Sequence, residues 1–206
     1  MTMSIPKPRV EATLHRRLGF GFVLGLAACG GGGGGEPVGA AATAVSPQTA
    51  AASTPTSAAA STCGLSNFQA SALAKVNQVR AAGATCGSHG AFPSAAALSW
   101  NALLTQAAEG HSQDMVTNNF FAHNSFDGRT FDQRITASGY NWSQVAENIA
   151  AGQTSVDEVM AGWMASEGHC VNIMDASLTE IGMVCVAGSA SNTYRSYWSM
   201  DLGKPR

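Results

Sequence analysis

Residues 30–61 read GGGGGGEPVGAAATAVSPQTAAASTPTSAAAS, and this stretch confines any folded core to the residues C-terminal to it. Gly, Ala, Ser, Thr and Pro carry too little apolar surface to offset the entropy lost on ordering, so the run reads as a flexible tether. The residues N-terminal to it read as an address. Arg16 and Arg17 lead into LGFGFVLGLAAC, a charged start and then an apolar run too short to span a bilayer, ending in small residues. The chain therefore divides into a signal peptide at 1–28, Cys29 plus the linker at 29–62, and one domain at 63–206. That last length suits a single core.

LAAC also resembles the lipobox of bacterial lipoproteins, in which Cys29 becomes the lipidated first residue of the mature chain. The other reading is a plain secretory signal with an incidental cysteine. Either one exports the protein, and the first makes the membrane a partner through a lipid anchor facing the periplasm or the extracellular space. Losing residues 1–28 removes Lys7, Arg9, Arg16, Arg17 and Glu11, so the 11 basic and 13 acidic side chains become 7 and 12, a net −5. No basic patch survives, which argues against nucleic acid. Four cysteines remain in the domain: Cys63, Cys86, Cys170 and Cys185. An even count in an exported domain reads as two disulfides. Three connectivities are open, and the local one, Cys63–Cys86 with Cys170–Cys185, is preferred because each bridge closes a short loop. The second would span 15 positions, about 3 kcal/mol on the chain-entropy account, and would brace the loop carrying His169. A four-cysteine zinc site is the competitor, but no C-x-x-C pair supports it.

Helical spacing appears at Phe68, Ala72, Val76 and Val79, ending at Gly83. A second, longer stripe runs through Trp100, Leu104, Ala107, Ala108, His111 and Met115; His111 on such a face reads as a core histidine rather than a ligand. GRTFDQRITASGY gives a short third helix with Phe131, Arg134, Ile135 and Ala137, stopped by Gly139. In a fourth, Ser155 and Glu158 form a capping box ahead of Val156, Val159, Met160 and Trp163. EIGMVCVAG and YRSYWSMDLG then read as an antiparallel hairpin. Helices succeeded by strands give an α+β layered domain. Trp142, Trp163, Trp198, Phe120 and Phe121 are expected in the core rather than on a lipid platform.

LAKVNQVRAA, LSWNALLTQAAEGHSQDM, FFAHNSFDG, VAENIAAG, GWMASEGHCVNIM and EIGMVC occur in this order across residues 68–203. Together they resemble the bacterial branch of the CAP superfamily (cysteine-rich secretory proteins, antigen 5 and pathogenesis-related proteins; the SCP domain). The resemblance implies a three-layer α-β-α sandwich with a central antiparallel sheet and a cleft holding two histidines and two glutamates. His123 and His169 match the histidines. Glu147 matches the glutamate of a G-E-N motif in which this chain has Ala146 for the glycine, and Glu167 stands nearest the second glutamate.

Two neutral imidazoles and a carboxylate are a competent set for a divalent metal such as zinc, with positions left for water or ligand. His123, Glu147 and His169 lie 24 and 22 residues apart, so only a fold can gather them. Glu147 can act as a third ligand, as an orienter of an imidazole, or as a base on bound water. A polar cluster that only specifies the fold is the alternative. Ser112 beside His111 and Ser125 near His123 lack a nucleophile elbow, the cysteines look paired, and the poly-glycine has no G-K-S after it. The expectation is a binding protein for a metal, a lipid, a small molecule or a protein ligand. A metal-assisted hydrolase or an adhesion module is the alternative.

Overall fold

The computed structural model describes residues 61–206, so the signal peptide, Cys29 and the tether up to residue 60 lie outside the described residues. Ser61 and Thr62 already belong to the fold: the Cys185 N–H donates to Ser61 O at 2.9 Å, and Thr62 forms a parallel bridge with Cys185.

Helix α1, Phe68–Ala82, buries Phe68, Ala72 and Val76 as the spacing predicts. Two short strands, β1 (Ala84–Thr85) and β2 (Ala91–Phe92), flank a 3₁₀ turn at Gly87–His89. Trp100, expected on the second helix, instead belongs to β3, Ser99–Trp100. Helix α2, Ala102–Asn118, starts only after Asn101, whose side chain accepts from Leu103 N at 2.8 Å and Leu104 N at 3.2 Å. Helix α3 covers Phe131–Ala137. Helix α4, Val156–Ala165, has its Ser155 cap, whose Oγ accepts from Glu158 N at 3.1 Å. The Glu158 carboxylate turns to Thr154 N and Oγ1 instead, so only half of the capping box forms.

The stretch read as a loop around His169 is helix α5, Glu167–Met174, separated from α4 by the single extended residue Ser166. Eight residues are too few to display a helical period, which is why the spacing gave no sign of it. The hairpin is present as β5, Glu180–Ala187, and β6, Ser196–Pro205. A strand not anticipated, β4 at Trp142–Ala151, completes the sheet in the order β3-β5-β6-β4. Its pairs are antiparallel except for the short parallel β3–β5 contact.

Strand alternation sorts the layers. One sheet face packs Ile181, Met183, Cys185, Trp198, Met200 and Leu202 against α1, α4 and α5. On the other, Ser199 receives a hydrogen bond from Ser112 of α2, and Gly182 lies so close to α2 that a Cβ would stand 2.1 Å from Thr105 N. The result is the three-layer α-β-α sandwich.

The disulfides correct the local pairing: Cys63 joins Cys185 and Cys86 joins Cys170, across separations of 122 and 84 residues. Sequence proximity misleads here because residues 61–63 dock along the β5 edge, with Cys63 N donating to Cys185 O at 2.8 Å. The turn after Cys86 packs onto α5, which places Cys86 beside Cys170, their Cα atoms 5.4 Å apart.

Arg80 holds the layer behind the cleft. It is fully buried at the position where the α1 stripe would take another aliphatic side chain. Nε donates to Ala96 O at 2.7 Å, Nη1 to Ile173 O at 2.7 Å and Asp175 O at 2.9 Å, and Nη2 to Leu178 O at 3.1 Å. The guanidinium thereby satisfies carbonyls at and beyond the end of α5, which that helix leaves unbonded. Burial draws its pKa down, opposed by the charge of Asp175. Arg80→Met would fill similar space and strand these carbonyls. The expected loss is about 3 kcal/mol or more, read as a lower urea midpoint at unchanged slope.

Candidate functional site

Among the described residues strand β4 is the edge of the sheet and pairs only with β6. Its alternation turns Glu147 toward α2 and α3, and Asn148 toward α5. Residues from both layers therefore meet around one free edge.

Glu147 is 1% exposed in its side chain, yet both oxygens are engaged. Oε1 accepts from His123 Nδ1 at 2.9 Å, and Oε2 accepts from Arg134 Nη2 in a buried ion pair. A carboxylate only accepts, so His123 Nδ1 carries the proton of this hydrogen bond, and in the neutral ring Nε2 is then the lone-pair nitrogen. The His123 side chain is 52% exposed. Arg134 Nη1 fixes the same loop by donating to His123 O at 3.0 Å and to Ser125 Oγ and Arg129 O, each at 3.1 Å. His111 Nε2 donates to Ala122 O at 2.9 Å and stands 4.0 Å from Glu147 Oε2. His111 is thus buried as expected, but against the site's charges rather than among alkyl groups alone.

His169 lies on α5, partly buried. The Asn148 side chain donates to His169 O at 3.1 Å, and Asn172 Nδ2 donates to Asn148 Oδ1 at 2.9 Å and Glu147 O at 3.3 Å. Asn172 thereby satisfies backbone of β4 and Asn148 backbone of α5, and the two amides pin α5 to the strand. Burial first, and the charge of His123 second, hold the His169 imidazole below its ordinary range. It is therefore neutral at pH 7, as a metal ligand must be.

Glu167 is not gathered with these groups. Its carboxylate accepts from Ser88 N at 3.1 Å and Ser88 Oγ at 2.7 Å, tying the turn beside Cys86 to the start of α5. Ser112 bonds Ser199, and Ser125 is held by Arg134, so neither is poised as a nucleophile. Trp163 and Trp198 lie in the core, whereas Phe121 is 44% exposed.

Two residues of the site escaped sequence reading. Arg134 was visible only as one position of α3, although an arginine on the same short helix as Phe131 and Ile135 calls for a buried carboxylate. Asp201 is the cross-strand partner of Glu147 and is 1% exposed. Its signal was an acid inside the charge-free, largely apolar run YWSMDL.

Among the described residues no group of three or more His, Cys, Asp and Glu is arranged to hold a metal ion. With Glu147 committed to His123 and Arg134, the donors that fit a metal are His123 Nε2 and the imidazole of His169. Glu147 fits the role of a carboxylate orienting a ligating histidine.

Arg134→Met would leave the Glu147 carboxylate buried without its countercharge, an expected loss of about 3–5 kcal/mol. Adding Glu147→Leu should recover most of it, and a double-mutant cycle by urea denaturation checks the coupling. Burial, with a smaller push from Arg134, also holds His111 below its ordinary 6.5 against the pull of Glu147. Its contribution to stability is complete above about 6.5 and is lost as pH falls through the lowered value. The melting temperature of His111→Gln should accordingly fall less between about pH 7 and pH 5 than that of the parent.

The profile described as CAP, Cysteine-rich secretory protein family, matches residues 73–202. The uncharacterized protein YkwD of Bacillus subtilis (strain 168) is 41% identical over 81 residues, which cover 39% of this chain and 31% of that one. The uncharacterized membrane protein YlbC of the same organism is 32% identical over 88 residues, 43% of this chain and 25% of that one. The matched stretches thus span a third or less of these curated relatives. An extracellular protein containing a SCP domain from Bacillus anthracis str. Ames shares the fold with a TM-score of 0.50 at 23% identity, over 66% of this chain and 41% of that chain. With six motifs in order, the layered sheet and a profile spanning both histidines and the glutamate, the chain belongs to the cysteine-rich secretory protein (CAP) family.

Proposed function

We propose that this is an exported CAP-domain protein whose cleft binds a divalent metal through the imidazoles of His123 and His169. The observation that carries the reading is the His123–Glu147 hydrogen bond, which fixes one tautomer and leaves Nε2 as a preset donor in a half-exposed ring. The neutral, half-buried His169 supplies the second donor. Two protein ligands make an open site, and water or a ligand's own oxygen or nitrogen would complete the shell. A bound metal would supply Lewis acidity to such a ligand. In this reading Glu147 orients and does not coordinate, because neither oxygen is left for a metal.

Binding is preferred to turnover for the same reason. A hydrolase needs a base within reach of water, and Glu147 is shut away beneath His123 and Arg134. Export is supported by two disulfides, which persist in oxidising compartments. No helix among the described residues is long and apolar enough to cross a membrane. Lipidation of Cys29 would then hold the domain at the envelope by its tether, where a lipid, small-molecule or protein ligand is the partner.

The test is a calorimetric zinc titration of residues 61–206 beside the His123→Ala/His169→Ala double variant. Saturable one-to-one binding should occur at pH 7, disappear in the folded variant, and weaken as pH falls, because protons compete with a metal for its ligands. Absence of binding at pH 7 would reduce the cluster to a scaffold for the sheet edge. Chelator-sensitive cleavage of a peptide or ester library would instead make the domain a hydrolase.

A further inference from the structure

Asp201 lies in the middle of the sheet, opposite Glu147 on β4 and Gly182 on β5. Directly opposed residues in antiparallel strands share a face, so the two carboxyl groups sit side by side beneath α2. Gly182 offers no side chain there, since the α2 backbone fills that space. Asp201 is 1% exposed, and among the described residues neither of its oxygens has a hydrogen-bond partner. Every other buried hydrogen-bonding side chain of the site is used at least once: Glu147 by His123 and Arg134, Arg134 by Glu147 and the His123 loop, and His111 by Ala122.

The charges in this layer can be counted. Arg134 contributes one positive charge, and its Nη2 is committed to Glu147 while Nη1 holds three loop oxygens. His111, facing the same carboxylate from α2, is kept neutral by burial. An ionised Asp201 would be a second buried anion with no donor of its own, the arrangement that costs most in a protein interior. Two carboxyl groups sharing one cation settle this by keeping one proton between them. Glu147 has the short contact to Arg134 and the His123 donor, so the proton falls to Asp201.

We infer that Asp201 is a positioning residue of the cleft, a neutral carboxyl group that leaves the charge of Arg134 to Glu147 and so keeps Glu147 the single anion facing His123. Burial and the adjacent Glu147 both push its pKa well above the carboxylate range, against the pull of Arg134. This charge state behind the cleft holds whether or not a metal binds in front of it. One consequence is that folding near neutral pH takes up a proton. The unfolded Asp201 ionises above about 3.8 while the folded one does not, so stability falls as pH rises from that value toward the raised one.

Two measurements on the full chain test this. The first tracks the ¹³C carboxyl resonance of Asp201 between about pH 5 and pH 8, assigned by its disappearance in Asp201→Asn. It should remain at the protonated position through pH 7, and a carboxylate shift at pH 7 overturns the inference. The second compares the melting temperature of Asp201→Asn with that of the parent. The variant should gain on the parent as pH rises from about 4 to 7, with His123 keeping its Nδ1–H tautomer by ¹⁵N NMR, because Asn preserves shape and neutrality. A pH-independent or reversed gap, or loss of that tautomer in the folded variant, also overturns it. Should the variant not fold, through-bond correlation from the Asp201 backbone assigns the carboxyl resonance, and its position in the parent decides alone.

Discussion

The guanidinium of Arg134 is where the cleft is assembled. One nitrogen neutralises Glu147 and another gathers three oxygens of the loop that carries His123, so a single side chain from α3 fixes both members of the His123–Glu147 pair. An ion pair this deeply buried adds little net stability, because desolvating both charges offsets most of their attraction. Its contribution is positional. Without it the carboxylate is intolerable in the interior and the histidine loop loses its fastening.

Geometry supplies the rest. Because β4 ends the sheet, its side chains alternate between two helical layers while its outer backbone remains free for side-chain donors. Asn172 uses that freedom to reach Glu147 O, and Asn148 reaches His169 O. The loop carrying His123 and the helix carrying His169 are thereby tied to the same strand from its two sides. A central strand, covered on both edges, would keep them apart.

The sequence was legible where structure is local. Helices with four or more apolar positions at regular spacing and the terminal hairpin were readable, as was His111 as a buried group. Helix α5 is shorter than its own signal, and β4 hides its alternation behind Ala146, Ala150 and Ala151, which are small enough to suit any element. At the site, motif order marked His123, Glu147 and His169. It could not separate Glu167, at the start of the cleft helix, from a residue that bonds Ser88. Arg134 and Asp201 matter through a charge balance across three elements, which no single stretch of sequence displays.

The two long-range disulfides carry a consequence for how such a chain is made. Cys63 and Cys86 are synthesised well ahead of Cys185 and Cys170, the cysteines they join. Neither native bond can close until most of the domain has entered the oxidising compartment. Until then the early cysteines are each other's nearest partners, 23 positions apart, and the wrong bridge is the easier one to form. Docking of residues 61–63 on β5, and of the Cys86 turn on α5, must come first and choose the partners. Correct oxidation is therefore a record that the sandwich has already formed, and isomerisation of an early Cys63–Cys86 bridge would set the pace at which the folded protein appears.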